Sequence, residues 1–213
     1  MKNKIFTILF FLSTILIAQS SDYTISVLTI GPGNSLNDSF GHSAIRVQTN
    51  NYDYVYNYGI YSFEDPKFYS NFIKGDLKYS LGVNHFKDFK YNYISNKRSI
   101  KEQVIVLPDE IKRKIVDRLN DNYKIGKREY NYDYLKNNCS TIIKDIIKDS
   151  LDQYNYQNSF VFKNSTKNTY RNLIYENIQK NSWGSLGIDI CLGSYLDKNI
   201  DSEKNTFLPE YLF

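Results

Sequence analysis

The feature that most constrains this chain is a single apolar run near its start. Residues Ile5–Ala18 (IFTILFFLSTILIA) carry no charge and follow Lys2 and Lys4. The run is too short for a bilayer-spanning helix, which needs about 20 residues, but it suits the hydrophobic region of a secretory leader. Gln19, Ser20 and Ser21 supply small and polar residues for cleavage. We therefore expect residues 1–20 to be a signal peptide and residues 21–213 to form a single domain that works in the periplasm or is otherwise exported. No cysteine lies near residue 20, which excludes a lipid-modified N-terminal cysteine. No later stretch approaches the length of an apolar span, and about 193 residues are enough for one domain with its own core.

Charge narrows the partners. The whole chain carries +4, and removing Lys2 and Lys4 leaves about +2. Acidic and basic residues alternate, as in Lys112–Arg113–Lys114 followed by Asp117, so no stripe is set aside for nucleic acid. A weak attraction to anionic surfaces, and with it peripheral membrane contact, fits this balance. The 20 tyrosines suit shallow clefts, because each can pack its ring while its hydroxyl stays wet.

The order of periodicities predicts an α+β domain, with an antiparallel sheet early and the longest helices late. Tyr23–Ile30 reads as a strand that breaks at Gly31–Pro32–Gly33, and Ser43–Gln48 as a second strand. Asn50–Asn51 turns the chain into Tyr52–Tyr61, the return arm of a hairpin. Asp65–Pro66 opens a short helix that Gly75 closes. Leu77–Val83 and Ile100–Leu107 are further strands. Asp109–Asp121 places Ile111, Ile115, Val116 and Leu119 on one helical stripe. A helix begins at or near Cys139, capped by Asn138 or Ser140, with Ile142, Ile143, Ile146, Ile147 and Leu151 as its buried face. Thr169–Lys180 gives another helix, and the glycine-punctuated tail reads as irregular.

The chain has only two histidines, His42 and His85, and two cysteines, Cys139 and Cys191. No two of them are spaced as metal ligands, so we expect no metal and no other cofactor. Cys139 follows Asn137–Asn138 at the start of an apolar helix, where free backbone N–H groups and the dipole favour a thiolate. His42, at the mouth of a strand after a glycine bend, is its natural base. A third polar group must orient the ring, and the hairpin brings Asn57 or Asp53 alongside. Tyr54, Tyr56, Tyr58 and Tyr134, with Asn138, would line the substrate cleft. Cys191 lies among Ile188, Ile190 and Leu192, which predicts a buried packing residue, although a Cys139–Cys191 disulfide is open to an exported chain. His85 reads as a surface or loop residue.

These segments carry a resemblance. Leu28–Thr29–Ile30–Gly31–Pro32–Gly33, Phe40–Gly41–His42–Ser43–Ala44–Ile45–Arg46–Val47, Tyr56–Asn57–Tyr58–Gly59, Phe68–Gly75, Tyr130–Leu135, Asn137–Asn138–Cys139–Ser140–Thr141 and Phe207–Leu212 resemble the N-terminal periplasmic domain of Lnb-type lipoprotein N-acyltransferases. The resemblance implies a circularly permuted papain-like cysteine peptidase/acyltransferase fold, with Cys139 as nucleophile, His42 as base and Asn57 on the neighbouring strand. It also implies a thiol-dependent acyltransferase or an amide or ester hydrolase acting on an envelope lipid, lipoprotein or cell-wall peptide. The alternative is a non-catalytic envelope binding module that keeps the Cys–His motif. Members of this type resemble two-part proteins with membrane helices after the periplasmic domain, whereas this sequence ends just after its Phe–Leu–Pro–Glu–Tyr segment. Lipoprotein N-acylation is therefore not carried over with the domain unquestioned.

Overall fold

The computed structural model describes residues 23–61, 70–71, 74–152, 154, 162 and 169–212. Its centre is a six-stranded antiparallel sheet: β1 (Thr24–Ile30), β2 (His42–Gln48), β3 (Asp53–Ile60), β4 (Lys78–His85), β5 (Ile100–Ile105) and β6 (Glu129–Asn131), in spatial order β5-β1-β2-β3-β4-β6. Strand β1 is rich in β-branched residues and, beyond Thr24, is buried on both faces. The sheet is therefore covered on both sides.

Its α-helices include α1 (Phe86–Ser95), α2 (Asp109–Tyr123), α3 (Cys139–Asp152), α4 (Tyr170–Ile174), α5 (Trp183–Leu192) and α6 (Pro209–Leu212). On one face, Ile111, Ile115, Val116 and Leu119 of α2 and Ile143, Ile146, Ile147 and Leu151 of α3 close over Ile25, Val27, Ile45, Val47, Tyr56, Tyr58 and Leu81. Each such side chain contributes about 1.5–3 kcal/mol by leaving water. On the other face, Phe89 of α1 packs on Leu28, Ile30, Ala44 and Val55. A second cluster gathers Leu135, Tyr170, Leu173, Ile174, Leu196, Phe207 and Leu208 beside the start of α3.

The expected α+β class, the early strands and the α2 and α3 helices all appear. The helix expected from Asp65 to Gly75 lies largely outside the described residues. The helix expected over Thr169–Lys180 is only Tyr170–Ile174, capped by Thr169 through its bond from the Asn172 N–H. The tail is not irregular: Ser182 and Ser185 form a reciprocal capping box that starts α5 despite Gly184 and Gly187. No helix among the described residues is long and apolar enough to cross a membrane.

Candidate active site

The site lies at the end of the sheet where the β2–β3 ladder stops. Pairing runs from Gln48–Asp53 to Ile45–Tyr56 and goes no further. Beyond it, His42 Nε2 meets Asn57 Oδ1 at 2.6 Å. Gly41, at φ +74°, makes the bend that aims His42. A Cβ there would lie 2.6 Å from the Ile30 carbonyl oxygen, so only glycine fits. Tyr93 of α1 stacks beside the imidazole, with ring centroids 6.2 Å apart.

Cys139 comes from the opposite side of the sheet, as the first residue of α3. Asn138 holds that turn. Its Oδ1 accepts the Ser140 and Thr141 N–H groups at 2.9 and 3.0 Å, and its own N–H is taken by Thr141 Oγ1 at 2.8 Å. Its Nδ2 donates to the Tyr134 and Phe207 carbonyls, both at 2.8 Å. Ser43 and Ser140 hydroxyls, 3.0 Å apart, pin the turn to β2. The Cys139 N–H has no partner among the described residues.

The two groups shift one another. Burial alone would raise the Cys139 thiol. The charge and hydrogen bond of His42, the Ser43 N–H and the Ser140 hydroxyl outweigh it and hold the thiol below its usual 9.0. Burial alone would lower His42, and Arg98 also opposes its charge. The charge and hydrogen bond of Cys139, then the bond to Asn57, raise it above 6.5. Asn57 presents a carbonyl oxygen, so Nε2 carries the hydrogen and Nδ1 is left to exchange a proton with the sulfur.

A cavity of about 510 Å³ opens beside the pair. One wall is aromatic: Tyr79 stacks on Tyr132 at 4.2 Å and meets Tyr61 at 4.6 Å. Burial pushes the Tyr61 and Tyr93 hydroxyls up to about 12, so both stay neutral. Tyr134 lines this cavity; Tyr54, Tyr56 and Tyr58 do not. The correction follows from the two-residue period of a strand: once Asn57 faces His42, residues 54, 56 and 58 must face the other side. Tyr56 donates to Asn120 Oδ1 at 2.5 Å and Tyr58 accepts from Asn122 Nδ2 at 2.9 Å, both under α2. Asn138 borders the cavity but is buried, its side-chain amide already committed to the helix cap and the two carbonyls.

Cys191 is a second correction. It is unpaired, as is Cys139, but it is exposed on α5 and lines the cavity rather than packing in a core. Ile190 beside it is 72% exposed, because α5 turns its second apolar stripe outward. His85 ends β4, exposed, with its ring 4.8 Å from Tyr54. Asp53 pairs with Arg46 at 2.7 Å and is committed away from the site.

Sequence reading missed Arg98. Buried beside the cavity, it donates to the Gly31 carbonyl at 2.9 Å and to Asp38 at 2.5 Å, tying down the loop that leads to His42. Nothing local in Asn96–Lys97–Arg98–Ser99 marks it. Tyr61, Tyr79, Tyr93 and Tyr132 were also missed, since their placement depends on strand pairing. Among the described residues, no group of three or more His, Cys, Asp or Glu side chains is placed to hold a metal ion.

Fold and site together define an α+β domain that sets a cysteine at a helix start against a strand histidine and its amide partner. The chain belongs to the family of Lnb N-terminal periplasmic domains, whose model matches residues 16–175. A periplasmic domain family agrees with the exported location expected from the leader. The match stops short of Phe207–Leu212, which the sequence resemblance had included. No curated protein and no solved structure matches the chain.

Proposed function

We propose that this domain is a thiol-dependent acyltransferase or hydrolase acting on an acyl group of an envelope lipid, lipoprotein or cell-wall peptide. One observation carries the reading: a helix-start thiol and a strand imidazole shift each other toward thiolate and imidazolium, with Asn57 bonded to the far ring nitrogen. The Cys139 sulfur attacks the acyl carbonyl carbon, forming a C–S bond and driving the carbonyl electrons onto oxygen. The Cys139 N–H is available to that oxyanion. Collapse expels the leaving group, which takes its proton from His42 Nδ1 and leaves a thioester. An amine or water then attacks the thioester, His42 accepts its proton, and the thiolate departs. The permuted papain-like arrangement belongs to the same reading, since it places the histidine before the cysteine in the chain.

The test is labelling by iodoacetamide at pH 6 and trapping of the acyl-enzyme by intact mass. Rapid labelling at Cys139, lost in a folded His42→Ala variant, together with an acyl adduct on Cys139, supports the enzyme. Sluggish labelling of the folded, reduced protein overturns it in favour of a binding module.

A further inference from the structure

Helix α5 is inverted relative to an ordinary surface helix. Trp183, Leu186 and Ile190 recur at i, i+3 and i+7 and are 89%, 48% and 72% exposed. A surface helix turns such a stripe inward. Here Ile188 and Leu192 do the inward packing, on the second core cluster. The neighbouring positions, Gly184, Gly187 and Cys191, line the cavity that holds Cys139. Leu36, 45% exposed, approaches from the loop before β2; a Cβ added at Gly184 would lie 2.8 Å from its Cδ1. The apolar surface therefore runs along the cavity mouth, and a contiguous patch of this kind marks an interaction site.

The surrounding charges say what fits it. The acidic residues next to α5 are already engaged: Asp189 pairs with Arg171 and accepts from Tyr175, and Asp197 also pairs with Arg171. Lys180 precedes the helix, Lys198 follows it, and Lys136 joins Lys198 at the same ring. Lys180 lies 5.5 Å from the Tyr175 ring, and Lys136 and Lys198 lie 4.9 and 4.1 Å from Tyr195. No acidic partner is assigned to these three among the described residues. A second copy docking the same face would bring the same lysines together. A tryptophan on the exposed apolar stripe of a helix flanked in the chain by Lys180 and Lys198 matches the interface of an anionic bilayer instead.

We propose that α5 docks on an anionic lipid surface, with Trp183, Leu186, Ile190 and Leu36 below the headgroups and Lys136, Lys180 and Lys198 among them. This places the cavity mouth at the membrane surface. Docking is independent of the thiol chemistry, so Cys139→Ser should dock like the parent, and failure of one reading leaves the other standing.

Trp183 is the sole tryptophan, so its emission in the full chain reports α5 and no other segment. The probes are vesicles of phosphatidylcholine alone and mixed with phosphatidylglycerol, with and without brominated acyl chains. We expect a blue shift and bromolipid quenching with the mixed vesicles, weakened by salt. Leu186→Ser combined with Ile190→Ser should weaken binding by about tenfold or more while leaving the circular dichroism unchanged. Lys180→Glu combined with Lys198→Glu should weaken binding to the mixed vesicles only. Three results would overturn the proposal: no shift or quenching with either vesicle, equal quenching in the serine variant, or a blue shift that follows protein concentration without lipid.

Discussion

His42 and Cys139 move one another's protonation in opposite directions, and pH separates their contributions. The thiol sits below its ordinary 9.0, so folding raises its thiolate fraction at neutral pH. Its rate of alkylation should therefore inflect below pH 9.0. His42→Ala removes the charge and hydrogen bond that lower the thiol and leaves burial, which raises it, so the inflection should move upward. A pH–rate profile with iodoacetamide on parent and variant checks the sign. On the proposed thiol chemistry, turnover of an acyl substrate should fall about 10²–10⁴-fold in His42→Ala, less in Asn57→Ala, and vanish in Cys139→Ser. Exposed Cys191 predicts a different outcome: Cys191→Ser should change stability by no more than about 0.5 kcal/mol in urea unfolding.

At the scale of elements, the turn that presents Cys139 rests on Asn138. Asn138→Ala removes a cap worth about 1 kcal/mol and strips a donor from the Tyr134 and Phe207 carbonyls; the bond to Phe207 is buried, and losing it costs about 1–3 kcal/mol. A loss of about 2–4 kcal/mol in urea unfolding, with slower thiol labelling in the folded variant, is the expected result. Ile146→Ala, in the centre of the α3 stripe, should cost about 2–5 kcal/mol through its cavity. The 3.6-residue period exposed α2 and α3 in the sequence, and the Asn–Cys boundary located the start of α3. The hairpin register suggested Asn57. The same register, counted by twos, would have removed Tyr54, Tyr56 and Tyr58 from the cleft. Helix α5 was not legible because its glycines read as loop, and its apolar residues promised burial that the fold does not give them. Strand β6 and Arg98 depend on partners distant in the chain, which local pattern does not encode.

At the scale of the whole molecule, His42 and Asn57 belong to one face of the sheet and Cys139 to the helices of the other. Phe207 joins the far side of the Asn138 brace. Fast labelling of Cys139 at low pH should therefore disappear at the same urea concentration as the circular dichroism signal; fast labelling that outlasts it would show that the local turn suffices. This dependence has a consequence for the chain's history. His42, Asn57 and Phe207 acquire their influence on the Cys139 sulfur only once distant segments have come together. An extended polypeptide in transit through a membrane therefore carries an ordinary thiol, and the shift of Cys139 below 9.0 comes only with folding.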